Sequence, residues 1–145
     1  GLGVEARRAR GRARQRPSLA PSPRARLPPM AGWLTTHVLD TALGRPAAGL
    51  RVALDRLDAG GRVRVAEAVT DADGRTERPL LPKAEFRPGT YELTFHAGDY
   101  LRGTGAALAA PAFLDLIPIR FGMEAGHYHV PLLLAPHGYS TYRGS

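Results

Sequence analysis

From Leu34 onward, short apolar stretches alternate with turn residues, and nowhere does helical periodicity persist long enough for a helical domain. Leu34 to Asp40 reads as a first strand, ended by Gly44-Arg45-Pro46. Leu50, Val52 and Leu54 alternate with Arg51, Ala53 and Asp55, the pattern of a strand with one face buried and one in water. Asp58-Ala59-Gly60-Gly61 supplies the turn into Val63 to Thr70. A second tight turn, Asp71-Ala72-Asp73-Gly74-Arg75, puts Arg75 directly after a glycine suited to a positive φ and at the start of another sheet edge. Tyr91, Leu93 and Phe95 alternate with Glu92, Thr94 and His96. Gly98 to Ala110 is the place for one short helix, limited by Gly103 and Gly105. Phe113 to Phe121, His127 to Leu134 and Tyr139 to Tyr142 complete about eight strands at sandwich-like spacing. The predicted fold class is all-β: two packed antiparallel sheets with one short helix.

The first 29 residues break this pattern. They are rich in Arg, Ala and Pro and almost lack branched apolar residues, so they cannot bury enough surface to offset the entropy of ordering them. A disordered segment 1–29 followed by a domain 30–145 is expected. Composition changes at Met30, which suggests a native start there, with the stretch before it as upstream sequence. The charge also changes at that point. The net charge is +7. Eight arginines against Glu5 alone in residues 1–29 account for all of it, leaving 12 basic and 12 acidic residues in the rest. A nucleic-acid-binding protein would rest on this arm alone, which lacks interleaved aromatics, so no nucleic-acid partner is expected.

Cysteine is absent, which removes a thiolate nucleophile, a disulfide framework and cysteine metal sites, and fits a reducing compartment. No run of 18 apolar residues is present, so a soluble domain and no membrane partner are expected. Cytoplasmic placement is the expectation, with periplasm and peroxisome left open.

The candidate chemistry lies in three segments. These are Leu34-Thr35-Thr36-His37-Val38-Leu39-Asp40, Thr70-Asp71-Ala72-Asp73-Gly74-Arg75, and His127-Tyr128-His129-Val130-Pro131-Leu132-Leu133-Leu134 running into Tyr139-Ser140-Thr141-Tyr142-Arg143-Gly144-Ser145. The end is unusual, because a domain's last residues ordinarily fray. In order, separation and the Tyr-Arg-Gly-Ser terminus, these segments resemble the 5-hydroxyisourate hydrolases, the enzymatic branch of the transthyretin-like family. The likeness covers Leu34 to Ser145; Ala135 departs from the serine frequent in the family.

The resemblance implies a transthyretin-like β-sandwich, an edge-to-edge dimer, and a homotetramer, a dimer of dimers, with sites in a central channel. It implies hydrolysis of 5-hydroxyisourate to 2-oxo-4-hydroxy-4-carboxy-5-ureidoimidazoline in urate degradation, without cofactor or metal. Carried over residue by residue, the site is His37, Arg75, His129, Tyr142, Arg143, Gly144 and Ser145. His37, Arg75 and His129 would be catalytic; His37, Arg75, Tyr142 and Ser145 would bind substrate; Arg143 and Gly144 would support the tail. The residue types fit ring opening: two imidazoles divide the proton work near neutral pH, and a guanidinium offers fixed donors to a developing oxyanion. Which histidine is the base stays open.

Each residue alone has a plainer reading. His37 on a strand is ordinarily structural, Arg75 a solvated turn residue, and Tyr142 a core-covering aromatic. His127 and His129 share a strand face as a metal pair would, but no cysteine and no nearby carboxylate completes the set. His127 is read as a neighbour of the site or a surface residue, and His96 and His137 as surface residues. The alternative function is a carrier of small aromatic ligands on the same fold.

Overall fold

The structure is a computed structural model that describes residues 32–81 and 83–144. The expected disordered segment 1–29, the start at Met30 and Ser145 lie outside the described residues. The strands are β1 (Gly32–Thr35), β2 (Val38–Asp40), β3 (Arg45–Pro46), β4 (Arg51–Asp58), β5 (Gly61–Val69), β6 (Gly89–His96), β7 (Leu116–Met123), β8 (Gly126–His129), β9 (Leu132–Ala135) and β10 (Gly138–Thr141). One helix, α1 (Ala97–Gly103), follows β6. Among the described residues the all-β class with one short α-helix is therefore what the chain adopts.

One sheet is antiparallel throughout, in the order β5-β4-β6-β7. The other strands form a four-stranded sheet, β10-β9-β2-β3, and the two-stranded pair β1-β8. Leu34, Val38, Leu132 and Leu134 from these meet Val52, Leu54, Leu93, Phe95 and Ile117 of the antiparallel sheet in one core, all at most 1% exposed. Each such side chain contributes about 1.5–3 kcal/mol by leaving water.

Two pairings are parallel, β1 with β8 and β2 with β9, a departure from an antiparallel sandwich. Two predicted strands are also divided, Leu34 to Asp40 at Thr36-His37 and His127 to Leu134 at Val130-Pro131. The register is the same on both sides of the break, Thr35 opposite His129 and Val38 opposite Leu132. The two segments therefore bend together, held by Val130 N–H donating to Thr35 O and Leu132 N–H to His37 O. Thr36, 1% exposed, donates its hydroxyl to Val130 O at 2.7 Å and closes the bend. The cause is local: proline lacks an N–H and restricts the residue before it. Arg75 starts no strand; it makes a single antiparallel bridge with His37.

Half of the period-two reading of β4 fails. Ala53 and Asp55 are buried like their neighbours; over Asp55 and the adjacent Glu92 of β6, Arg62 and Arg64 of β5 and Arg120 of β7 lay their side chains. Arg64 Nε contacts Asp55 at 2.6 Å, and Arg62 bridges Asp55 and Glu92. Burial alone would raise the Asp55 carboxyl, but hydrogen bonds from Arg64 and Arg62 outweigh it and hold the group below its ordinary range. Helix α1 begins one residue before the predicted stretch and ends at Gly103. Its Tyr100 hydroxyl donates to the buried Asp40 of β2 at 2.7 Å. Burial, then the Asp40 charge, pushes that phenol up to about 12. The strand expected from Phe113 begins only at Leu116, leaving Phe113 exposed.

The turn before Arg75 is tightly specified. Asp71 Oδ1 accepts from the N–H groups of Asp73 and Arg75, and Gly74 takes φ +78°. Gly74 O in turn accepts from Val38 N–H, so the turn is pressed against β2. A Cβ at Gly74 would run into Val38 O. Gly74→Ala therefore combines a backbone clash with left-handed strain and is expected to cost about 2–4 kcal/mol. Urea unfolding would measure it; a midpoint unchanged from the parent protein would show that the turn does not need glycine.

Candidate active site

Thr35 of β1 lies opposite His129 of β8, which places a hydroxyl beside the two histidines of that strand. Thr35 Oγ1 is 2.7 Å from His127 Nε2 and 2.9 Å from His129 Nδ1. The two rings share one strand face, their centroids 6.3 Å apart. His127 is also stacked on Trp33, with centroids 4.9 Å apart and planes within 4°. Lys83 Nζ sits over the same indole at 4.7 Å.

Thr35, His127 and His129 line a cleft of about 350 Å³ together with Thr36, Arg75, Thr76, Glu77, Arg78 and Pro79. Arg75 and His129 are thus brought to one cavity by the Asp-Gly turn and by β8. Among the described residues no carboxylate pairs with the Arg75 guanidinium. His37 does not line this cleft. Its backbone bridges Arg75 and its Nε2 lies 2.9 Å from Asp73 O, so that nitrogen donates and Nδ1 is left to exchange a proton. Its charge is still felt at His129. Burial lowers the His129 pKa below the ordinary histidine value, and Arg75, His127 and His37 add to the effect in that order. The neutral imidazole is the favoured form, and a neutral imidazole is the form that can accept a proton.

The chain's tail reaches this site by continuing a hairpin. β10 pairs with β9 as far as Thr141 opposite Leu132. The ladder lapses opposite Val130 and Pro131, where the proline has no N–H to give, and resumes in the same register at Gly144 opposite His129. Gly144 N–H donates to His129 O at 2.6 Å. A Cβ on Gly144 would lie 3.1 Å from His129 Cδ2, so glycine lets the tail lie flat against that ring. Arg143 packs its guanidinium over the Tyr128 ring at 3.9 Å, on the strand residue between the two histidines. Tyr142, expected to bind substrate, is 59% exposed and does not line the cleft of its own chain. Its position opposite Pro131 in the lapsed stretch of ladder is the reason. Ser145 lies outside the described residues.

Sequence reasoning missed Thr35, Thr36, Thr76, Glu77 and Arg78. Thr35 carried a signal only through its strand partner, and strand partners about ninety residues apart are not visible in a local pattern.

The family model described as HIUase/Transthyretin family matches residues 34–144. The 5-hydroxyisourate hydrolase of Mesorhizobium japonicum is 66% identical over 115 residues, 79% of this chain and 93% of that protein. Among solved structures, an (S)-allantoin synthase is 47% identical with a TM-score of 0.75 over 80% of this chain, which spans 44% of that longer protein. The 5-hydroxyisourate hydrolase of Klebsiella pneumoniae is 36% identical with a TM-score of 0.66, covering 79% of this chain and 99% of that one. A transthyretin from Sparus aurata is 28% identical with a TM-score of 0.70, covering 77% and 95%. Backbone similarity thus extends to a transthyretin as well as to a hydrolase.

Proposed function

The chain belongs to the HIUase/Transthyretin family, and from that premise we propose that it is an enzyme that hydrolyses 5-hydroxyisourate in purine degradation. The observation that carries this reading is the neutral-favoured His129 facing the same cleft as Arg75, with Gly144 laid against the imidazole. A cyclic amide needs a base for water, donors for the oxyanion and a proton for the departing nitrogen.

His129 takes a proton from water as the water oxygen attacks the ring carbonyl carbon. The Arg75 guanidinium meets the negative charge that develops on the carbonyl oxygen. The C–N bond then breaks, and the departing nitrogen takes up the proton that His129 gained from the water. No cofactor or metal takes part. Tyr142 would touch the substrate from a neighbouring subunit, which fits a homotetramer built as a dimer of dimers. Among the described residues no helix is long and apolar enough to cross a membrane, and a cytoplasmic site of action is our reading of the cysteine-free composition.

Freshly generated 5-hydroxyisourate, followed by its ultraviolet absorbance, decays faster with the protein than alone; an unchanged rate would leave the carrier of small aromatic ligands as the reading. The pH profile is a further check. The depressed His129 pKa means that its stabilising contribution is present above the unfolded value near 6.5 and is lost as pH falls through the lower folded value. Activity limited by the same group persists below about pH 6.5. An acid limb of kcat/KM centred at or above that value would show that a group other than His129 sets it.

A further inference from the structure

We propose that Thr35 is a positioning residue whose hydroxyl selects the tautomer of His129 according to the protonation of His127. This rests on the hydrolytic reading for its catalytic consequence, but the coupling itself stands on the geometry. One hydroxyl oxygen lies within hydrogen-bond distance of one nitrogen of each ring, 2.7 Å from His127 Nε2 and 2.9 Å from His129 Nδ1. A hydroxyl has one proton to give and two lone pairs to receive with. It donates to only one of the two rings, and the other ring can bond to it only by donating.

Two arrangements satisfy all the groups. In the first, Thr35 donates to His127 Nε2 and accepts from His129 Nδ1–H. The lone pair of His129 is then on Nε2, the nitrogen with no hydrogen-bond partner among the described residues. In the second, His127 Nε2–H donates to Thr35, Thr35 donates to His129 Nδ1, and the neutral His129 carries its proton on Nε2. Only the first leaves a base at Nε2. A protonated His127 must use Nε2–H as a donor, so protonation of His127 either drives the pair to the second arrangement or strands the hydroxyl proton.

The rings are held so that this choice matters. His127 is stacked on Trp33, whose indole also carries Lys83. His129 has Gly144 against its Cδ2 edge and Thr35 at Nδ1. The charged groups facing the pair are Arg75 and His37 from the Asp-Gly turn and the strand bend, with Glu77 and Arg78 on the cleft wall and Arg143 over the intervening Tyr128. None of them bonds to either ring nitrogen that faces Thr35. The hydroxyl is therefore the only hydrogen-bonded link between the two imidazoles among the described residues.

Trp33 is the single tryptophan of the chain and lies flat on His127, so its fluorescence, quenched by a cationic imidazole, titrates His127 directly. The test compares the full chain with Thr35→Val and Thr35→Ser. Thr35→Val keeps the branched shape, loses the hydroxyl, and is expected to lower kcat at least about 10-fold with KM little changed, since a wrong tautomer cannot serve as base. It also shifts the midpoint of the fluorescence titration and makes the acid limb of kcat/KM less steep, because His127 no longer contributes to it. Thr35→Ser restores all three. Unchanged kcat, limb and fluorescence midpoint in Thr35→Val would overturn the proposal, as would a Thr35→Ser protein as impaired as Thr35→Val. Circular dichroism and thermal unfolding exclude misfolding as the cause, and Thr35→Ser is the variant to read if Thr35→Val does not fold. If the parent protein does not accelerate 5-hydroxyisourate decay, the hydrolytic reading fails, while the fluorescence shift still decides the coupling.

Discussion

His129→Gln lowers kcat for 5-hydroxyisourate by about 10²–10⁴-fold, the usual worth of a positioned general base, and leaves the fold intact. The fold survives because the strand contacts at this position are made by the backbone. His129 N and O both pair with Gly144, and Thr35 keeps its place in β1 whatever side chain stands opposite. Glutamine fills similar space and keeps a polar group for Thr35, but it has no nitrogen lone pair to accept a proton. Burial lowers the His129 pKa and so favours the neutral ring, the form of the base that the substitution removes. Stopped-flow decay of the substrate beside thermal unfolding reads both quantities. Turnover within about 3-fold of the parent would place the base elsewhere and make His37 the next candidate.

Arg75→Ala is expected to cost about 10²–10³ in kcat, equivalent to about 2.7–4 kcal/mol, as loss of an oxyanion donor does. Arg75→Lys recovers only part of it, because an ammonium is a point charge where the guanidinium is a planar fork. Stability changes little, since Arg75 enters the fold through its backbone bridge to His37 and its N–H bond to Asp71 rather than through its head. The size of the effect also separates the two functions on this backbone. In a carrier, removing the guanidinium would weaken ligand binding without any catalytic rate to lose. A variant of Arg75→Ala that retains the parent kcat and changes only KM would assign the residue to binding.

Part of the fold around the cleft was legible because it is set by short motifs with local causes. The Asp71-to-Arg75 turn announces a positive φ at Gly74, and the turn is there with the Asp71 side chain capping it. The strand alternation at Tyr91, Leu93 and Phe95 reports the core face, and those three are fully buried. Where alternation failed, at Asp55, the cover came from arginines on a strand separate from β4 in the sheet. Local periodicity contains no information about what a neighbouring strand lays over a face. The broken strands were read as continuous for a related reason, since Pro131 was visible but its effect on the companion segment depended on a pairing about ninety residues away.

The turn that presents Arg75 and the all-β class follow from the sequence by itself, because each depends on neighbours a few positions apart. The tertiary structure decided the parallel register that sets Thr35 against His127 and His129, the burial that favours the neutral form of His129, and the continuation of the β10 ladder past Pro131 that brings Gly144 to that ring. Those depend on which distant strands share a ladder. That choice is made by the packing of the whole core and leaves no local trace in the order of residues.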